Sequence, residues 1–147
     1  HLIFKSYKPI LAYKMSNKLK KILSEISAGE LLDKMSILEI KLEKIQDKES
    51  LIEINKEYEL LKKVKALSLT MTQELEELIK KIKEVNLTLW NIEDKIRICE
   101  KNKDFSENFI ELARGVYINN DKRSKIKYEI NKISGSNIKE IKQYVNY

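Results

Sequence analysis

Glu84-Val85-Asn86-Leu87-Thr88-Leu89-Trp90-Asn91-Ile92-Glu93-Asp94-Lys95-Ile96-Arg97-Ile98-Cys99-Glu100 is the stretch that decides the fold. At about 100° per residue, Val85, Leu89, Ile92, Ile96 and Cys99 fall on one side of a helix, a stripe suited to a core. Asn86, Trp90, Glu93, Arg97 and Glu100 form a second stripe beside it, within a sector of roughly 80°. The only tryptophan of the chain thus shares a helix face with two carboxylates, a guanidinium and an amide. The period is helical and the second stripe is too polar for lipid. A bundle helix with a polar flank is the expectation.

Working outward, Thr72 followed by Glu74, Glu76 and Glu77 supplies an N-cap with acids in the first turn, where they complement the helix dipole. The helix is predicted to continue to Asn102, which at 1.5 Å per residue makes it about 46 Å long. Lys101-Asn102-Lys103-Asp104 reads as a hinge. Asp104 and Glu107 have capping-box spacing, so the next helix is placed from Phe105 to about Ile133, with a bend allowed at Gly115 or Asn119-Asn120. Its first half offers Phe109, Leu112, Ala113 and Val116 to a core. On the same face its second half carries Asn120, Arg123 and Lys127. An apolar face turns polar in this way when it leaves the core, meets acids or lines a site. Gly135 is a plausible stop.

Upstream, Ser27 with Glu30 forms a capping box that starts a helix running to about Gln46. Leu31, Met35, Leu38, Leu42 and Ile45 share its apolar face, bordered by Lys34, Ile37 and Lys41. Asp47-Lys48-Glu49-Ser50 breaks that pattern and can cap a second helix, Leu51 to Lys65, with the weaker stripe Leu51, Ile54, Tyr58, Leu61 and Val64. The fold class is therefore all-α: an antiparallel, coiled-coil-like bundle of three to four helices, two of them long. Residues 1–14 read as a non-native or disordered arm before a start at Met15, residues 15–26 as a lead-in, 27–135 as the bundle and 136–147 as a short tail.

The net charge of +6 suggests nucleic acid until its location is considered. Six of the 29 basic residues precede the first acid, Glu25, and the remaining 23 meet 23 acids. The body is neutral, so the basic excess is a solvated tail and the body is not expected to bind nucleic acid. One cysteine forms no internal disulfide, and Cys99 lies on an apolar stripe, which fits a reducing, cytoplasmic setting and a structural thiol. No window is apolar enough to span a membrane. A core from 147 residues is modest, so a homodimer is expected.

Ser27-x-Gly29-Glu30-Leu31-Leu32-Asp33-Lys34-Met35-Ser36-Ile37-Leu38-Glu39-Ile40-Lys41 resembles the opening of a family of short bacterial and phage proteins of unknown function. Val85-Asn86-x-x-Leu89-Trp90-x-Ile92-Glu93-Asp94-x-Ile96-Arg97 resembles its middle motif, and Phe109-Ile110-Glu111-Leu112-Ala113-Arg114-x-Val116-Tyr117-x-x-Asn120-Asp121-x-Arg123 its third. The motifs occur in order over nearly all of residues 26–135. The resemblance implies an all-helical protein of about this length and carries no activity with it.

Metal and cofactor motifs are not readable: the cysteine has no partner, His1 is terminal, and no glycine-rich phosphate loop occurs. No cofactor is expected. What remains is a set of residues at or beside core faces: Lys34, Lys41, Asn86, Trp90, Glu93, Arg97, Glu100, Arg114, Tyr117, Asn120, Asp121, Arg123 and Lys127. They suit three roles. The charges can pair across the bundle, as buried ions must, with Arg97 answering a buried Glu93 or Glu100. They can line a pocket that takes a small anion, with Trp90 or Tyr117 as a stacking wall. They can form a charged surface for a protein partner. The enzyme alternative is a bundle pocket of Arg, Lys and Glu acting on a small anionic metabolite. Helical chorismate mutases work this way, and Ile92-Glu93-Asp94-Lys95-Ile96-Arg97 has a faint likeness to their first helix, though at a different place in the chain.

Overall fold

A computed structural model describes residues 21–147; the expectations for residues 1–14 and for a start at Met15 lie outside that range. The described residues form four helices and no strand: α1, Ala28–Lys44; α2, Lys48–Ser68; α3, Gln73–Asn102; and α4, Glu107–Ile133. No helix among them is long and apolar enough to cross a membrane.

The caps explain most of the boundaries. Ser27 Oγ accepts the Glu30 backbone N–H at 3.1 Å, Asp47 accepts that of Ser50 at 2.8 Å, and Thr72 that of Leu75 at 3.2 Å. Because Asp47 is the cap, α2 starts three residues before the predicted Leu51. At the other hinge Lys103 takes the left-handed conformation, φ 55°, and ends α3. Asp104 then spends its carboxylate on the Ser106 backbone N–H at 3.1 Å, so α4 begins at Glu107 rather than Phe105. Helix α4 runs unbroken through Gly115 and Asn119-Asn120, and the Asn119 and Asn120 side chains donate to carbonyls one turn back in the same helix.

Two antiparallel hairpins, α1–α2 and α3–α4, make up the bundle. In the second, Asn108 reaches Cys99 and Gly115 faces Ile92, as an antiparallel register requires. Helix α1 is central and packs on the other three, whereas α2 packs on α1 alone. The consequence is visible residue by residue. The expected face of α1 is buried at Leu31, Met35 and Leu38, and so is a second face made by Gly29, Leu32, Asp33, Ser36 and Ile40. In α2 no residue is fully buried. The core joins Leu31, Leu32 and Met35 to Leu75, Ile82 and Ile130.

Helix α1 approaches the end of α4 closely. The Gly29 N–H donates to Asn131 Oδ1 at 2.7 Å, and the Ala28 N–H to Ser136 Oγ at 3.1 Å. A Cβ on Gly29 would lie 2.7 Å from the Lys127 carbonyl oxygen and 2.8 Å from Asn131 Oδ1. Gly29→Ala is therefore expected to destabilise the protein by about 1–3 kcal/mol, because backbone must move. Gly115→Ala meets only the flexible end of Ile92, at 3.0 Å, and should stay within about 1 kcal/mol of the parent, helped by the better helix propensity of alanine. Urea unfolding of both variants decides; equal, small effects would show that the α1–α4 approach is looser than described.

Candidate functional site

The centre of the bundle is a carboxylate that the sequence reading left out. Asp33, 2% exposed, accepts a forked pair of hydrogen bonds from Arg123: Nε to Oδ1 at 2.8 Å and a terminal nitrogen to Oδ2 at 2.6 Å. Asn86 Nδ2 donates to the same Oδ1 at 2.8 Å and to Ser36 Oγ at 2.7 Å, and the Ser36 hydroxyl donates to the Asp33 carbonyl at 2.7 Å. Side chains from α1, α3 and α4 thus meet in one satisfied network. The hydrogen bonds to Asp33 hold the Arg123 pKa above its ordinary value, against the opposing pull of burial.

One turn along α4, buried Lys127 Nζ donates to Glu30 and to Glu140, each at 2.7 Å. Burial acts to lower its pKa, but the two carboxylates outweigh burial and raise it. The hydrogen bond from Lys127 in turn lowers the pKa of Glu140. The polar half of the α4 face therefore meets acids, one of the outcomes its sequence allowed. The segment after Gly135 folds back on α4: Tyr147 donates to Asp121 at 2.7 Å and packs edge-on against Tyr117, with ring centroids 5.2 Å apart.

Beside the Asp33 network lies an open cleft of about 530 Å³ between α1, α3 and α4. Ile37, Ile40 and Leu89 give it apolar walls, and Trp90 and Asp94 also line it. Of the residues predicted from sequence, Asn86, Trp90, Glu93, Arg97, Asn120 and Arg123 converge here. The others do not. Lys34 pairs with Glu57 of α2, and Lys41 lies in a shallow depression with Glu53 and Glu57, so no lysine lines the cleft. Glu100 pairs with Lys103 and Arg114 with Glu111, both on the surface. Among the described residues, no group of three or more His, Cys, Asp or Glu is placed to hold a metal ion.

The expected pairing of Arg97 needs correction. Arg97 donates to Glu93 at 2.8 Å within the same helix, with side chains 70% and 46% exposed. It joins no helices and neutralises no buried acid, because the second stripe of α3 becomes solvent-facing past Trp90. Asp33, Ser36, Glu30 and Asn131 were missed because each reads as an ordinary polar position of an amphipathic helix. The available signal was Arg123 on a core face without an acid assigned to it. Cys99 is buried near Asn108, as a structural thiol would be.

The fold and the network define an all-α, four-helix bundle closed by a buried carboxylate and a half-buried guanidinium, with a polar-rimmed cleft at its side. The chain belongs to a family of unknown function, DUF6165, which covers residues 22–147 and so includes the C-terminal segment. No curated protein and no solved structure matches it.

Asp33→Ala would leave the Arg123 guanidinium without its acid and the Asn86 amide without one of its acceptors, and is expected to cost about 3–5 kcal/mol. Arg97→Met removes an exposed pair and should change stability by no more than about 0.5 kcal/mol. Chemical denaturation of the two variants distinguishes them, and a large loss for Arg97→Met would return the central network to α3.

Proposed function

We propose that this chain is a small-ligand-binding helical module whose site is the cleft between α1, α3 and α4. The observation that carries this is convergence on unfilled space. Two guanidiniums, two carboxamides and the indole of Trp90 line one cleft of about 530 Å³ with an apolar floor. Ligand sites have this composition: apolar walls for the body of the molecule and a few polar groups to orient it. Arg123 is preorganised for the purpose. Asp33 fixes its plane, while its other terminal nitrogen makes only a 3.5 Å contact with Asn120 Oδ1.

Trp90, the single tryptophan, reports on the cleft directly. Hexanol, hexanoate and hexyltrimethylammonium share an apolar body and differ in head group. At least one of them is expected to change Trp90 emission saturably, and Ile37→Phe, which fills the space, should weaken that binding. No saturable change with any of the three at millimolar concentration would overturn the proposal.

A second role, as an interaction module that pairs with its own copy, is favoured by the outer face of α2. Leu60, Val64 and Leu67 lie on one stripe at 55%, 44% and 89% exposure. Pairing of two α2 helices across that stripe would bury it on both copies. Light scattering is expected to give twice the 17.4 kDa chain mass, reverting to one chain in Val64→Lys. A single-chain mass at all concentrations would exclude this pairing.

A further inference from the structure

Resting on the cleft as the ligand site, we infer that the ligand's charged group is an organic cation, seated on the face of Trp90 beside Asp94. The sequence points the other way, toward an anion, because two arginines lie near the tryptophan. The contacts reverse that expectation. The Arg123 charge is already answered by Asp33, and the Arg97 charge by Glu93. Asp94 also lines the cleft, and it makes no ion pair and no side-chain hydrogen bond among the described residues. Once the paired charges cancel, one negative charge remains on the lining.

Its position fits a cation. Trp90 and Asp94 are four residues apart on α3, so their side chains are neighbours on one helix face. A cation over an indole is attracted by the ring quadrupole, and a carboxylate at the ring edge adds a direct Coulomb partner. Glu93 is a second carboxylate at this end and keeps its pair with Arg97. An anion in the same place would face Asp94 and Glu93, with only the Arg123 terminal nitrogen that Asp33 leaves over to receive it. An alkylammonium or quaternary ammonium group on a short apolar body sets its charge against Asp94 and the indole without breaking a pair.

The test compares dissociation constants of hexyltrimethylammonium, hexanoate and hexanol for the full chain at fixed ionic strength, from Trp90 emission. The cation is expected to bind most tightly. Asp94→Asn, a change at an exposed residue, should weaken the cation at least about fivefold and leave hexanol unchanged. If hexanoate or hexanol binds as tightly as the cation, or if Asp94→Asn does not alter the preference, the cation assignment fails and the cleft stands. If none of the three binds, cleft and assignment fail together.

Discussion

A carboxylate in the middle of a bundle is tolerated only when its charge is answered, and the answer to Asp33 comes from residue 123, ninety positions away. Removing either ion alone from such a pair costs several kcal/mol, while the intact pair contributes little net stability against an apolar equivalent. Its role is to discriminate between arrangements. Sliding α1 along α4 by one turn, about 5.4 Å, would separate the fork from the carboxylate and leave the buried Asp33 charge unanswered. Asp33, Arg123, Asn86 and Ser36 accept one register, and that register sets α1 against the α3–α4 hairpin.

The hairpin outreaches its partner. Helix α3 has 30 residues against 17 in α1, so the segment of α3 and α4 nearest their turn packs chiefly on itself. Past Asp33 the side chains of α1 leave the space toward Trp90 unfilled, and the cleft lies there. The network and the cleft are therefore one arrangement: the network fixes Arg123 and Asn86 as walls of a space that it does not itself fill.

Much of this was legible in the sequence. Periodicity and caps located four helices, and Thr72 and Asn102 marked α3 correctly because a cap and a long amphipathic pattern agree there. The polar turn of the α4 face at Asn120, Arg123 and Lys127 was readable, with a meeting with acids as one of three outcomes. Which acids they were was not, since Asp33 and Glu30 follow ordinary surface spacing. The burial of Asp33 arises from three helices closing on α1, a tertiary fact with no local signature. The error at Arg97 has the same origin: a helical wheel places Glu93, Trp90 and Arg97 on one face but does not say how far along the helix that face stays covered.

Helix α1 joins the N-terminal end of the domain to its C-terminal end through Gly29–Asn131, Ala28–Ser136 and Lys127. During synthesis this arrangement imposes a delay. Helices α1 and α2 can form their hairpin early, but the carboxylate of Asp33 has no counter-ion until Arg123 is made, roughly 5–18 s later at ordinary elongation rates. Over that interval the most deeply buried helix of the finished protein is an incomplete surface, with its second face open to whatever the nascent chain meets.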